Sequence, residues 1–184
     1  MGSRVVRWQD WSGTGYEHLV LKVEPGGVIA ESALLSGTDG APFAARYRIT
    51  CDPLWRVRKL EVDLVGDDRR VEITTDGSGN WADAGGAPLP HLHGAIDVDL
   101  TASPFTNTLP IRRLDLPRGG SAEIQTAYVL FPELTVTLDP QRYTCLEPNR
   151  RYRYESLDSD FLREIEVDSE GLVVAYPGLF RRII

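Results

Sequence analysis

Hydrophobic and polar residues alternate with a period of two along most of the chain, and a helical period is almost absent. In residues 16–24, for example, Leu19, Leu21 and Val23 fall on one side and polar residues take the other. Because side chains of a β-strand point alternately to the two faces of a sheet, this pattern predicts strands with one buried face. The predicted strands cover residues 16–24, 28–35, 43–51, 55–65, 69–75, 122–131, 134–138, 151–157, 162–168 and 172–176.

Tight turns separate these predicted strands. Clusters of glycine, aspartate, asparagine and serine occur at 36–40, 66–68 and 77–80, and such clusters are typical of hairpin connections. Many short strands joined by short turns indicate an antiparallel sandwich or barrel. No linker, clear repeat or low-complexity segment interrupts the pattern. We therefore expect residues 1–184 to form one all-β domain.

The segment 105–114 is the only one that favours a helix. It follows Ser103 and Pro104, and it offers Thr106 or Asn107 as a capping residue. A proline at position 110 is tolerated in a first helical turn, where its missing N–H is harmless. The sequence therefore predicts at most one short helix.

The alternation in the predicted strand at 55–65 extends into arginine. Leu60, Val62 and Leu64 share a face of this strand. Counting back from Leu60 by two residues at a time places Arg58 and Arg56 on the same face. Unless a β-bulge intervenes, two guanidinium groups continue an apolar stripe. Either the strand end leaves the core there, or the apolar face lines a cavity with a charged mouth, as in barrels that bind small ligands.

Aromatic residues near such a mouth would contribute to recognition. Trp55 lies next to Arg56, and Tyr47 and Tyr128 occur in other predicted strands. Aromatic rings stack on sugars, and guanidinium groups bind anionic groups through paired hydrogen bonds.

Two carboxylates, Asp97 and Asp99, occupy one face of a short predicted strand. Such a pair can act as general acid and base, hold a cation, or form ion pairs with Arg112 and Arg113. An exposed strand face with ordinary ion pairs explains the pattern as well. The spacing also brings the carboxylates closer together than most glycosidases require.

Composition excludes several classes of function. The 184 residues are 42% hydrophobic and 26% charged, which is ordinary for a folded domain. With 27 acidic against 20 basic side chains, the net charge of −7 argues against a general nucleic-acid binder. All the basic residues except Lys22 and Lys59 are arginine, which either codon bias or anion recognition explains. No apolar run long enough for a transmembrane segment and no secretory leader are visible, so we expect a cytoplasmic protein.

No strong catalytic or metal motif is present. Cys51 and Cys145 lack metal-type spacing, and a bridge between them is left open. His91 and His93 would share a face on a strand, but a metal site needs a third ligand and a simple turn explains the pair. No phosphate-binding loop, hydrolase elbow or zinc-protease signature occurs. The sequence therefore predicts no cofactor, no metal and no catalytic residue.

Seven segments, taken in order, form a familiar set: WQDW at 8–11, CDPLWRVR at 51–58, GAIDVDL at 94–100, SPFTNTLPIRR at 103–113, QRY at 141–143, YRY at 152–154 and GLVVAYPGLFRR at 171–182. The set resembles the bacterial family of putative glycolipid-binding proteins, formerly a domain of unknown function. It covers nearly the whole chain, and its most specific element is TNTLPIRR at 106–113.

The resemblance implies a long curved antiparallel sheet that forms an open or half barrel around an apolar cavity. This shape is similar to that of the carriers of bacterial lipoproteins, although the export signal of those carriers is not visible here. The resemblance also directs attention to Asn107, Arg112, Arg113 and Arg142 as binding residues.

These observations favour a non-enzymatic binder of an amphipathic ligand, with a glycolipid as one candidate. The acyl portion would lie inside the sheet and the headgroup at a mouth of arginine and aromatic residues. The candidate binding residues are Tyr47, Trp55, Arg56, Arg58, Asp97, Asp99, Asn107, Arg112, Arg113, Tyr128 and Arg142. The alternatives are a small hydrolase-like enzyme using Asp97 and Asp99, or an interaction module that docks a partner through a sheet edge or the tail at 179–184. The sequence does not predict the oligomeric state.

Overall fold

The computed structural model describes residues 2–36 and 42–184, and its strands form a single 14-stranded sheet. The predicted all-β fold is confirmed. The strands are β1 (Ser3–Asp10), β2 (Tyr16–Glu24), β3 (Gly27–Ser36), β4 (Phe43–Cys51), β5 (Val57–Leu64), β6 (Arg70–Thr75), β7 (Trp81–Asp83), β8 (Asp97–Leu100), β9 (Ser121–Leu130), β10 (Thr135–Glu147), β11 (Arg151–Ser156), β12 (Leu162–Val167), β13 (Val173–Tyr176) and β14 (Phe180–Arg182). One α-helix, α1 (Thr108–Leu114), and two 3₁₀ turns, Pro90–Leu92 and Pro104–Asn107, complete the elements.

The order of the strands is β7-β6-β5-β4-β3-β2-β1-β14-β13-β12-β11-β10-β9-β8, and the sheet does not close. The first and last strands of the chain therefore pair at the centre of the sheet, where Trp8 lies opposite Arg182. On each side of this pair the chain runs outward as a meander. Every pair is antiparallel except β8 with β9, which is parallel and places Val98 opposite Ala127. A parallel pair needs a crossover connection, and the segment that contains α1 supplies it.

Hydrophobic alternation predicts most of these strands to within two residues of their ends. The largest differences are β10, which continues past the predicted 134–138 to Glu147, and β1, β7 and β14, which the predicted strands do not include. The predicted turn at 36–40 lies almost entirely outside the described residues.

A β-bulge overturns the predicted position of Arg56 and Arg58. Between β4 and β5 the register shifts, so that Cys51 lies opposite Val57 while Thr50 lies opposite Lys59. The extra residue, Arg58, is exposed, and Val57 takes the inward position before the alternation resumes. Both arginines face away from the core because the bulge reverses the side-chain alternation.

The helical segment fills the space that the sheet wraps around. Phe105 and Leu109 are fully buried against the apolar face of the first half of the sheet. Ile111 packs instead with Tyr143 and other apolar residues of the second half. The chain itself therefore occupies the centre of the predicted apolar cavity.

The caps of the helical segment differ from those predicted. The Ser103 hydroxyl, rather than Thr106 or Asn107, caps the first turn by accepting from the backbone N–H of Phe105 at 3.2 Å. Asn107 makes no side-chain capping bond, because its Oδ1 accepts from the Tyr143 hydroxyl at 2.9 Å. This bond ties the start of α1 to β10.

Candidate functional site

Two clefts adjoin at one end of the wrapped sheet. The polar cleft has a volume of about 500 Å³, and the apolar cleft has a volume of about 740 Å³. Thr101, Leu179 and Phe180 line both, so the two clefts are direct neighbours, and they are here called the joined clefts. Sizes in this range are typical of sites that enclose a small molecule.

Carboxylates, hydroxyls and aromatic rings line the polar cleft. Besides Thr101 and Phe180, its polar and aromatic lining residues are Asp99, Ser103, Asn107, Tyr128, Asp139, Tyr154, Ser156, Asp158, Ser159, Phe161 and Tyr176. The lining comes from β8, the helical segment, β9 to β11, β13, β14 and the loop that follows β11, which converge at this end of the sheet. Hydroxyls and carboxylates around aromatic faces are suited to a polyhydroxylated ligand such as a sugar.

A hydrogen-bond network fixes the base of the polar cleft. Asp99 accepts from the Thr106 hydroxyl at 3.0 Å and from Gln141 Nε2 at 2.7 Å, and Gln141 Nε2 also donates to Asp139 at 2.8 Å. Burial raises the pKa of the Asp99 carboxyl, although both of these bonds oppose the rise. Burial, followed by the charges of Asp99 and Asp139, raises the pKa of Tyr128 to about 12, so its hydroxyl keeps its proton and can donate.

The second cleft contains more large apolar and aromatic side chains than the first, alongside the carboxylates of Asp10, Glu17 and Glu133. Phe43 and Phe131 stack with ring centroids 5.7 Å apart. Around them Trp11, Leu35 and Leu179 remain well exposed although they are large apolar side chains. Exposed apolar residues that converge on one concavity are a feature of binding surfaces rather than of ordinary protein surface.

Glu17 lies in the wall of the apolar cleft and was not a predicted site residue. It is buried on the same face of β2 as Leu19 and Leu21. Its Oε1 accepts hydrogen bonds from Ser32 at 2.8 Å, from Ser103 at 3.0 Å and from Tyr47. Desolvation raises the pKa of the carboxyl to about 7 against the opposing effect of these bonds. The alternation of β2 could have identified it, since Glu17 continues an apolar stripe.

Four of the predicted binding residues meet in a separate pocket, here called the arginine pocket. Trp55, Arg56, Arg112 and Arg113 line it, and the Arg112 guanidinium lies 5.2 Å from the Trp55 ring centroid. The pocket adjoins Pro53, just after β4, whereas the apolar cleft adjoins Phe43 at the start of the same strand. A nine-residue strand spans about 30 Å. The predicted arginine–aromatic group therefore lies at the other end of the sheet from the apolar cleft.

The remaining predicted residues are distributed between several places. Asp99 and Tyr128 line the polar cleft together with Asn107. Arg142 forms ion pairs with Glu123 and Glu155, and it lines neither cleft.

Three further predicted residues are held by bonds to other groups. Tyr47 donates to the buried Glu17. Arg58 donates to the backbone carbonyl of Asp76. Asp97 is fully buried, and its two carboxylate oxygens accept from Arg113 Nε at 3.1 and 3.2 Å. An ion pair between these residues is one of the interpretations of the sequence, and here it orders the end of α1.

The histidines and cysteines are not brought together. His91 lies in the 3₁₀ turn Pro90–Leu92 and His93 directly follows it, so the pair is not on a strand. Cys51 and Cys145 are both buried and unbridged. Within residues 2–36 and 42–184, no group of three or more His, Cys, Asp or Glu side chains could hold a metal ion. In the same residues no helix has the length and apolar character needed to cross a membrane.

The fold and its clefts define an all-β protein whose single open sheet wraps around its own helical segment. The profile of the family described as putative glycolipid-binding matches residues 5–182, and the chain belongs to this family. The crystal structure of a DUF1089 family protein from Pseudomonas aeruginosa is similar, with 38% identity, a TM-score of 0.82 and coverage of 92% of each chain. No curated protein matches the sequence. The family inferred from the seven segments is confirmed.

Proposed function

We propose that the two joined clefts bind one amphipathic ligand of the glycolipid type, with the sugar in the polar cleft and the hydrocarbon chain in the apolar cleft. The observation that carries this proposal is that Thr101, Leu179 and Phe180 line both clefts. Hydroxyls and carboxylates are more numerous on one side of these residues and large apolar side chains on the other, which suits a ligand with one polar and one apolar part. The family description points to the same class of ligand.

The competing functions have less support. A hydrolase that pairs Asp97 with Asp99 would need both carboxylates beside the substrate, but only Asp99 lines the polar cleft and Asp97 is bound by Arg113. The backbone of the tail at 179–184, considered for docking a partner, is already paired with β1, since the N–H of Ile183 donates to the carbonyl of Arg7 at 2.8 Å, although the side chains of Ile183 and Ile184 stay exposed. The binder is therefore the function that the geometry favours.

Titration of the protein with n-decyl-β-maltoside, below its micelle concentration, tests the proposal by isothermal calorimetry. Each buried methylene contributes about 0.8 kcal/mol, so n-octyl-β-maltoside should bind roughly fifteenfold more weakly than the decyl compound. Maltose and decanoate alone should each bind more weakly than n-decyl-β-maltoside. Equal affinities for the octyl and decyl compounds, or no heat of binding, would contradict the proposal.

Leu179→Ala is expected to weaken binding of n-decyl-β-maltoside by roughly five- to thirtyfold, because about 1–2 kcal/mol of apolar contact is lost where the clefts join. The matched control is Leu162→Ala, since Leu162 is 44% exposed against 38% for Leu179 and lies on β12 away from both clefts. Equal losses in the two variants would show that the clefts are not the site.

Tyr128→Phe tests the polar cleft separately. Loss of one hydrogen bond to the sugar should lower the affinity for n-decyl-β-maltoside by roughly two- to tenfold and leave the affinity for decanoate unchanged. Tyr152→Phe removes a hydroxyl outside both clefts and serves as the control. Equal effects on the two ligands would argue against a sugar in the polar cleft.

A further inference from the structure

The joined clefts carry acidic groups without basic ones. The apolar cleft includes the carboxylates of Asp10, Glu17 and Glu133, and the polar cleft includes three more; among the described residues that line either cleft, none is lysine, arginine or histidine. A concave surface lined by one sign of charge concentrates ligands of the opposite sign.

Two guanidinium groups contact the rim and offset part of its negative charge. Arg69 donates to the carbonyl of Pro132 at 3.0 Å, but it is also paired with Asp67. Arg163 lies 4.8 Å from the centroid of the Phe161 ring. Neither arginine is among the lining residues.

Glu17 supplies a second and independent observation. Only 4% of the residue is exposed, and its Oε2 is buried with no hydrogen-bond partner among the described residues. The three donors that surround the carboxyl all bond Oε1. A buried carboxylate oxygen without a donor is costly, and a donor on a ligand in the adjoining cleft would offset that cost.

We propose that Glu17 Oε2 anchors a positively charged group of the ligand, so that the joined clefts select amphiphiles that carry an ammonium next to their hydrocarbon chain. This inference rests on the proposed function and names the class of ligand within it. An ammonium brings donors as well as charge, and a charged pair of this kind is stronger than a neutral hydrogen bond. A carboxylate or phosphate headgroup would meet mostly like charge.

The aromatic rim favours the same class of ligand. Trp11 and Tyr16 line the cleft that contains Glu17, together with the stacked rings of Phe43 and Phe131. The faces of these rings attract a cation and also pack against methylene groups. The same cleft can therefore hold both the ammonium and the first part of the chain.

Calorimetry with decylammonium, decanoate and n-decyl-β-maltoside tests the inference on the unmodified protein. We expect decylammonium to bind at least about tenfold more tightly than decanoate. In Glu17→Gln this ratio should fall by about tenfold or more, because the amide keeps the shape of the side chain and removes its charge. Leu162→Ala, which lies outside both clefts, should leave the ratio unchanged.

A second measurement needs no variant. An ammonium at Oε2 would force Glu17 to ionise, and a carboxyl whose pKa is about 7 releases about half a proton at pH 7. Titration in two buffers of different ionisation enthalpy measures this release, which should be absent with n-decyl-β-maltoside. Tyr47 is the other titratable group in contact with Glu17, and burial holds its pKa well above 10, so it stays protonated. Asp10 and Glu133 share the cleft. A second groove that Glu17 also lines contains Arg7, His18 and Arg46.

The outcomes separate this inference from the proposed function. If n-decyl-β-maltoside binds but decanoate binds as tightly as decylammonium, the ammonium inference is wrong and the amphiphile site stands. If the ammonium preference survives in Glu17→Gln, or no proton is released, Glu17 is not the anchor. If none of the three ligands binds, the proposed function itself fails.

Discussion

Arg113→Ala is expected to lower the free energy of unfolding by about 3–5 kcal/mol, because it leaves the Asp97 charge buried without its partner. Asp97 is fully buried and Arg113 is 13% exposed, and three hydrogen bonds join the guanidinium to the carboxylate. Burial raises the pKa of the Asp97 carboxyl, while the Arg113 hydrogen bonds and charge oppose the rise. Without the arginine, the carboxyl must either stay ionised at high cost or take up a proton. Urea denaturation monitored by circular dichroism measures the loss.

Arg142→Ala is the matched control for this prediction. Arg142 also forms two ion pairs, but it is 36% exposed and one of its partners, Glu123, is 64% exposed. Exposed pairs contribute about 0–1 kcal/mol, so this variant should be nearly as stable as the unmodified protein. Similar losses in Arg113→Ala and Arg142→Ala would mean that the Asp97–Arg113 pair does not order the helical segment.

The free energy of unfolding of Glu17→Gln, relative to that of the unmodified protein, is expected to be about 2–3 kcal/mol higher at pH 8 than at pH 5. The pKa of Glu17 is raised from 4.5 to about 7 in the folded protein, chiefly by desolvation. The folded state therefore holds a proton that the unfolded state releases between these two values. The stability conferred by the neutral carboxyl is full below pH 4.5 and is lost as the pH rises through 7. Glutamine does not titrate, so the Glu17→Gln variant does not lose this stability as the pH rises.

The measurement is the difference in free energy of unfolding between Glu17→Gln and the unmodified protein at several pH values. Taking the difference removes the contributions of other carboxyls, such as Asp10 and Asp67, whose pKa values are lowered and whose effect has the opposite sign. Ser32 and Ser103, which donate to Glu17, do not titrate in this range. A difference that does not change between pH 5 and pH 8 would show that Glu17 is not buried as an acid of raised pKa.

Strand alternation predicts the all-β fold well because a buried face leaves a clear period of two. Alternation no longer predicts the face of a side chain where a β-bulge adds one residue to a strand. Around Arg58 the bulge reverses the faces, and nothing in the spacing of Leu60 and Arg56 reveals it. The pairing of the two chain ends and the parallel β8–β9 pair depend on contacts between distant residues, which alternation along one strand does not report.

The positions of the clefts are harder to predict from the sequence, for a related reason. Strand alternation points to Arg56 and the family resemblance to Arg112; the two line one pocket with Trp55, at the end of the sheet away from the apolar cleft. Which end of a strand faces a cleft is decided by the sheet as a whole. The same alternation argument applied to β2 would have flagged Glu17, where a charged residue continues the stripe of Leu19.

The central pairing of β1 with β14 has a consequence for the order of folding. Each half of the sheet is held mostly by neighbouring strands with short connections, so its contacts are local in sequence and can form quickly. The seam between the halves joins residues such as Trp8 and Arg182, and closing so long a loop costs more entropy. We expect the two meanders to form first and the seam to form late. The apolar cleft takes walls from both meanders, so the capacity to bind a ligand arises only when they have met.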